Sequence, residues 1–136
     1  MGFTISRTLA MPYDDAVAAT RDALAAEGFG ILTEIDLAAT MKAKLDVDMA
    51  PQVILGACQP ALAHAAIQVD PSIAAVLPCN VVVRSVDATT TVVEAFDPDA
   101  MMGLAGAALE SVATDARHRL TSALDALTAL ATPEES

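Results

Sequence analysis

The sequence is poor in aromatic residues, with three phenylalanines, one tyrosine and no tryptophan among 136 residues. Because 54% of the chain is nevertheless hydrophobic, its core has to be built mainly from Ala, Val, Leu, Ile and Met. Such small side chains bury little area each, so we expect part of the apolar surface to close a subunit interface. A chain of this length normally forms one domain. We assign it to residues 1–131, followed by a polar tail over residues 132–136.

The sequence also lacks a long apolar segment. No run reaches the roughly 20 residues that a membrane span requires, and no charged and then apolar leader precedes a small-residue cleavage site. The first six residues, Met1 to Ser6, fit the N-myristoylation pattern formally, but a strand that starts at Phe3 explains them more simply. We therefore expect a cytoplasmic protein that does not bind membranes.

Positive charge is scarce as well. Seven Lys and Arg residues stand against 18 Asp and Glu residues, which gives a formal net charge of −11. Nucleic acids and anionic lipids are bound through clustered Lys and Arg, and no such cluster with interleaved aromatics occurs here. The composition therefore argues against a nucleic-acid partner, whereas a metal ion or a small molecule remains compatible with it.

Hydrophobic periodicity predicts the element order β, α, β, α, β, α, β-hairpin, long α. The predicted strands are Phe3–Ala10, Phe29–Ile35, Val53–Ala57, Val81–Val86 and Thr91–Phe96. The predicted helices start at Pro12, run from an N-cap at Asp36, cover Pro60–Val69 and extend from Leu109 to Leu130; a short turn carries Met101 and Met102. Gly28 and Gly30 should end the first helix, and the second should present one apolar face of Leu37, Met41 and Leu45. The last helix carries an apolar stripe of Leu109, Val112, Ala116, Leu120, Ala123, Leu127 and Leu130. The hairpin requires antiparallel pairing, so we expect a single-domain α+β fold with a mixed or antiparallel sheet rather than a doubly wound one.

Four segments occur in a characteristic order: Gly28–Asp36, Ile54–Cys58, Leu62-Ala63-His64 and Leu77–Val83. With them the chain resembles the uncharacterised DUF302 family, from about the first strand to the final helix. The resemblance implies a sheet like that of the TATA-binding protein, helices mainly on one face, a long C-terminal helix and a homodimer. It implies no established activity or cofactor. Gln59 stands where the family commonly has Asn, a better N-cap, so we expect a looser start of the third helix.

Both cysteines lie beside prolines in these segments. No export signal accompanies them, so we expect free thiols rather than a structural disulfide. Cys58 precedes a helix N-terminus, where the helix dipole stabilises an anion. His64 lies one turn beyond Pro60, and Cys79 opens the strand after Pro78. Glu34 and Asp36 end the second strand, and Asp97 ends a later one. If the strands converge as the resemblance implies, we expect these carboxylates to meet the cysteines and His64 at one edge of the sheet.

Three functions fit this set of residues. Cys58, His64 and Cys79, with a carboxylate, form a plausible metal-ligand set, although no CxxC or HxxxH spacing supports it. Cys58 assisted by His64 is a candidate catalytic pair, and Cys58 with Cys79 a candidate redox pair. The alternative is that both cysteines are buried packing residues of a purely structural protein.

The third function is that of a small-ligand binding module. We favour small-ligand or metal-ion binding over a thiol-dependent enzyme and over a purely structural protein. Its candidate polar anchors are Glu34, Asp36 and Asn80, beside the cysteines and His64. Asp36 and Asn80 have simpler explanations as a helix cap and a turn residue. No phosphate-binding glycine loop or nucleophile elbow is present, so the sequence identifies no cofactor and leaves open whether the protein is an enzyme.

Overall fold

The computed structural model describes residues 2–101 and 109–131. Its strands are β1 (Thr4–Leu9), β2 (Gly30–Asp36), β3 (Gln52–Cys58), β4 (Cys79–Asp87) and β5 (Thr90–Phe96). Its helices are α1 (Tyr13–Ala26), α2 (Leu37–Leu45), α3 (Pro60–Val69) and α4 (Glu110–Ala131), with 3-10 helices over Pro71–Val76 and Pro98–Met101. The predicted element order is confirmed. Met102 and the tail over residues 132–136 lie outside the described residues. No helix in the described ranges is long and apolar enough to cross a membrane.

The five strands form one sheet in the order β1-β5-β4-β3-β2. All four neighbouring pairs are antiparallel, so the α+β prediction is confirmed, and the sheet is antiparallel rather than mixed. Antiparallel pairing sends consecutive strands in opposite directions. The C-terminal end of β2 therefore lies opposite the start of β3, where Asp36 pairs with Val53, while Gly30 pairs with Cys58 at the other end.

The main core lies between one face of the sheet and helices α1 and α4. Alternate strand residues such as Leu55, Val81 and Val93 are fully buried against Leu24 of α1 and Leu120 of α4. The predicted apolar stripe of the last helix is confirmed at its buried members Leu109, Ala116, Leu120, Ala123 and Leu127. Val112 is only partly buried, against the smaller cluster of Ala66, Ile73 and Leu109, and Leu130 is 68% exposed.

Helix α1 ends as its glycine predicts. Gly28 adopts a positive φ of 87°, a backbone conformation that L side chains rarely adopt. Its N–H donates to the carbonyl of Ala25, and the N–H of Phe29 donates to the carbonyl of Leu24, which is the Schellman pattern. This turn places Phe29, 5% exposed, inside the domain.

Helix α2 begins as predicted but does not bury the predicted face. The Asp36 side chain accepts a hydrogen bond from the N–H of Ala39 at 2.9 Å, which confirms the N-cap. The expected apolar face of Leu37, Met41 and Leu45 is not buried, because α2 has no buried residue and Leu45 is 66% exposed. The helix follows β2, which lies at the edge of the sheet, where fewer elements are available to cover it.

Candidate functional site

A small pocket lies where β3 and β4 meet helices α3 and α4; its cavity volume is about 40 Å³, and about 420 Å³ when the space of its open mouth is included. Both cysteines line it. Phe29 forms part of the wall after α1, Leu62 comes from α3 and Ala113 from α4. Apart from the two cysteines and Gln59, every described residue that lines the pocket is apolar.

Strand register brings the two cysteine segments together. Ala57 in β3 lies directly opposite Cys79 in β4, so Cys58 is one residue from the position that faces Cys79. The chain then turns through Gln59 into α3, with Pro60 at the start of the helix, where a missing N–H costs nothing. Cys58 therefore sits at the junction of strand and helix, as the sequence predicted.

The two thiols have different surroundings. Cys58 is half-buried, whereas Cys79 is 9% exposed. Burial, and to a lesser extent the nearby Cys58, raise the pKa of the Cys79 thiol to about 11, because a buried thiolate loses hydration and meets a second negative charge. Cys79 is accordingly a poor nucleophile at neutral pH.

His64 lies outside this pocket. It is exposed on α3, and its Nε2 is 3.4 Å from Nε2 of Gln68, one turn further along the helix. The pocket is instead lined by Leu62, Ala63 and Ala66 of the same helix. The expected pairing of His64 with Cys58 is therefore not formed, since helical periodicity directs His64 away from the residues that face the pocket.

Glu34 and Asp36 lie at the other end of the sheet. Glu34 forms an ion pair with Arg21 of α1, and Asp36 caps α2. The expectation that these carboxylates meet the cysteines is wrong, because the antiparallel register puts Gly30, not Asp36, opposite Cys58. Asp97 does lie at the cysteine end, next to the Pro98 that lines the pocket, but its carboxylate binds Arg117 of α4 at 3.1 Å.

Asn80 occupies the opposite face of the sheet from Cys79, since neighbouring strand residues alternate. It is exposed and lines a separate groove with Phe3, Arg84 and Glu94. The predicted site residues thus lie in four separate places. The cysteines line the pocket, Glu34 and Asp36 lie at the far end of the sheet, Asn80 lines the groove on the other face, and His64 is exposed on α3. Among the described residues, no group of three His, Cys, Asp or Glu side chains is placed to hold a metal ion.

A family model described as a domain of unknown function, DUF302, matches residues 5–127. The chain belongs to the DUF302 family. Its structure is similar to the crystal structure of an uncharacterised conserved DUF302 protein from Bacillus stearothermophilus, with a TM-score of 0.85 and 26% sequence identity over 93% of this chain and 99% of that chain. No curated protein matches it. Family membership assigns no activity, so function has to be argued from the pocket.

Sequence reasoning about this DUF302 protein missed the wall that α4 contributes. Val112, Ala113 and Ala116 line the pocket, yet in the sequence they belong to an ordinary amphipathic stripe. It also missed Arg119, whose Nη1 donates to the carbonyl of Glu27 at 3.2 Å and joins α4 to the end of α1.

Proposed function

We propose that this DUF302 protein binds a small, predominantly apolar molecule in the pocket between α3 and α4, with Cys58 and Cys79 in contact with it. The observation that carries the proposal is the composition of the wall, which among the described residues is apolar except for Gln59 and the two thiols. Small-molecule sites are typically concave, mostly apolar and equipped with a few polar groups that fix orientation. Thiols are soft and polarisable, so they add contact energy to an apolar ligand without requiring a charged partner.

The geometry favours an organic ligand over a metal ion. Cys58 and Cys79 are the two metal-ligating side chains among the described lining residues, whereas a structural zinc site takes four ligands and a catalytic site three. It also favours binding over nucleophilic catalysis. No described lining residue is a general base, and His64, the expected base, is exposed and directed elsewhere.

A fragment titration tests the proposal. We expect toluene to shift the amide resonances of Phe29, Leu62 and Ala113 saturably in two-dimensional NMR spectra of the full chain. Ala63 of α3 lines the pocket, while Ala61, two residues earlier, is exposed. Ala63→Phe should abolish the shifts, and the matched change Ala61→Phe should leave them intact. Shifts that do not saturate, or that survive Ala63→Phe, would overturn the proposal.

We further propose that the protein is a cytoplasmic homodimer and that β2 and α2 form the interface. Five large apolar side chains with exposed fractions between 38% and 66% lie in this part of the chain: Leu32, Ile35, Leu45, Val47 and Met49. A nine-residue helix is marginal on its own in water, so α2 is expected to gain packing from a neighbour. Exposed apolar patches of this kind mark interaction sites.

Charge supports a second copy as that neighbour. Residues 30–49 hold four carboxylates and two lysines, a net charge of −2 in a chain of net charge −11. Each carboxylate is engaged within its own subunit: Glu34 pairs with Arg21, Asp36 caps α2, and Asp46 and Asp48 pair with Lys42. Two copies of an acidic protein repel each other less where carboxylates are already paired.

A further inference from the structure

The face of the sheet that points away from α1 and α4 carries a groove. Side chains alternate along β4, so Val81 and Val83 are buried in the core, whereas Asn80, Val82 and Arg84 lie on the other face and line the groove. Its cavity volume is about 500 Å³, and about 1020 Å³ when the space of its open mouth is included. Small-molecule sites span roughly 300–1,000 Å³, so the groove has room for a ligand of that size.

One end of the groove is polar. Gln52 of β3 lies directly opposite Arg84 of β4, and Nη1 of Arg84 donates a hydrogen bond to Oε1 of Glu94 at 2.5 Å. The other carboxylate oxygen, Oε2, accepts from the hydroxyl of Thr4 at 2.7 Å. Both oxygens of Glu94 are therefore satisfied. Within the described part of the chain, by contrast, the hydrogen bonds of Arg84 start from Nη1 alone.

The guanidinium group of Arg84 is thus the unsaturated member of this ion pair. Its side chain is 41% exposed, against 26% for Glu94. Nε and Nη2 share one edge of the planar group, and each carries a hydrogen that a ligand can accept. A carboxylate matches such an edge with two parallel hydrogen bonds, which are the strong, charge-assisted kind.

The other end of the groove is apolar. It is lined by Phe3, Val76 and Phe96, and the first two are 66% and 38% exposed. Pro78 forms a wall there, because a Cβ atom at Gly56 would lie only 2.8 Å from Cγ of Pro78. The proline ring therefore packs directly on the open face of β3, at a position where residue 56 has no side chain to displace it.

The two ends are separated by a distance that suits an elongated molecule. Gly56, beneath the proline wall, pairs with Asn80, and Asn80 precedes Arg84 by four residues of β4, which is about 13 Å. We infer that the groove binds a small organic acid, with its carboxylate on Arg84 and Gln52 and its apolar body against Phe96 and Pro78. The groove shares no described lining residue with the pocket between α3 and α4, so this inference does not rest on the proposed function.

A single carboxylate is the charge that this groove accommodates. The chain as a whole carries a net charge of −11, which repels a polyanion. The charge of Glu94 is compensated locally by Arg84 and by the hydroxyl of Thr4. A ligand with one negative group at one end and an apolar body therefore meets the guanidinium edge without a facing unpaired carboxylate.

Three probes with the same phenylbutyl body test the inference on the full chain. We expect 4-phenylbutyrate at pH 7 to shift the amide resonances of Gln52, Val82 and Arg84 saturably in two-dimensional NMR spectra. The neutral 4-phenylbutanamide should bind at least about tenfold more weakly, because it loses the charge-assisted hydrogen bonds, and the cationic 4-phenylbutylamine should bind no better than the amide. Absence of saturable shifts with the acid, or an affinity for amide or amine equal to that for the acid, would overturn the inference.

Variants of two ion-paired strand arginines locate the carboxylate. Arg84→Gln should weaken binding of 4-phenylbutyrate at least about tenfold, whereas Arg84→Lys, which keeps the charge but loses the planar fork, should have an intermediate affinity. Arg7→Gln is the matched control, since Arg7 of β1 is paired with Asp125 and lies outside the described lining of the groove. Wild-type affinity in Arg84→Gln, or an equal loss in Arg7→Gln, would contradict the assignment.

A second pair of variants leaves Arg84 in place, in case its replacement prevents folding. Val82 lines the groove, while Val86 of the same strand is 57% exposed and lies outside the described lining. Val82→Glu should abolish binding of 4-phenylbutyrate, because it puts a carboxylate where the ligand lies, and Val86→Glu should leave it intact. Equal affinities of these two variants would reject the groove as the site. Ala63→Phe, which fills the pocket between α3 and α4, should not affect the acid, so either proposal can fail without the other.

Discussion

Gln59 caps helix α3 by accepting, at its Oε1 atom, a hydrogen bond from the backbone N–H of Leu62 at 2.9 Å. The looser helix start expected from replacing Asn by Gln is not observed, because the longer side chain still reaches the third N–H of the helix. The contact has a consequence for Cys58. It occupies one of the unpaired N–H groups that would otherwise stabilise a thiolate at this helix end.

We expect Gln59→Ala to lower the free energy of unfolding by about 1 kcal/mol, since it removes the cap. Gln59→Asn should retain most of the stability, because its shorter amide is a favoured N-cap. Urea denaturation followed by far-UV circular dichroism measures both. Equal stability of Gln59→Ala and the wild type would show that the hydrogen bond makes no net contribution.

Gly56 is required by close packing rather than by its backbone angles. A Cβ atom there would overlap Oγ1 of Thr33 and lie 2.8 Å from Cγ of Pro78. We expect Gly56→Ala to destabilise the protein by about 1–3 kcal/mol, the usual cost of overpacking. Gly30→Ala is the matched control in the neighbouring strand, since the nearest atom to its Cβ would be 3.9 Å away. Similar melting temperatures for the two variants would contradict this account.

The two thiols should react at very different rates in the native protein. Iodoacetamide at pH 8 should alkylate Cys58 and spare Cys79, because Cys79 is buried and its pKa is raised to about 11. The Cys79 rate should rise only as the pH approaches that value. Both thiols should react at similar rates in urea. Mass spectrometry of peptides assigns the label, and prompt native alkylation of Cys79 would show that the pocket wall opens readily.

The proposed dimer gives a third mutational test. Leu45→Glu places a charge in the exposed apolar part of α2, so it should convert a dimer into a monomer in sedimentation velocity at micromolar concentration. Val69→Glu is the control, since Val69 is also exposed, at 43%, but lies at the end of α3. A monomeric wild type, or equal effects of both changes, would reject this interface.

The element order followed from local signals. Alternation marked the strands, the three- and four-residue stripe marked α4, and the prolines and Gly28 marked helix ends, all of which depend on residues close in sequence. Packing was not predictable in the same way. Leu37, Met41 and Leu45 have the helical spacing of a buried face, yet nothing in that spacing states that β2 and α2 lie at the edge of the sheet.

The site was half predictable for a related reason. The family resemblance indicated converging strands, and the structure brings the two cysteine segments together through the β3–β4 pair, where Ala57 lies opposite Cys79. Which strand ends lie together depends on the direction of every strand. Because β2 and β3 are antiparallel, Glu34 and Asp36 lie at the opposite end of the sheet from Cys58. The orientation of His64 depends on the rotation of α3 about its axis. The face on which Asn80 lies depends on which of the alternating side chains of β4 point toward the helices. Both follow from long-range packing rather than from spacing.

Glu94, on the open face of the sheet, makes the stability of the protein depend on pH. Its pKa is lowered by the hydrogen bond from the Thr4 hydroxyl, at 2.7 Å, and by Arg84. A carboxyl whose pKa falls on folding stabilises the protein fully above its ordinary value of 4.5, and this contribution is lost as the pH drops through the lower folded value. Glu94→Gln should therefore be less stable than the wild type at pH 7, and the difference should shrink below pH 4.5.

Denaturation of both proteins in urea across this pH range measures that difference directly. Thr4→Val keeps the carboxylate and the ion pair with Arg84 but removes the hydrogen bond from the Thr4 hydroxyl. In the Thr4→Val background, the stability that Glu94→Gln removes at pH 7 should therefore be smaller. The pH at which this difference disappears should move toward 4.5. The comparison with Glu94→Gln cancels the general effect of protonating the other carboxylates, because they are common to both proteins. A stability difference that stays constant from pH 7 to pH 3 would mean that Glu94 stabilises the sheet through packing rather than through its charge.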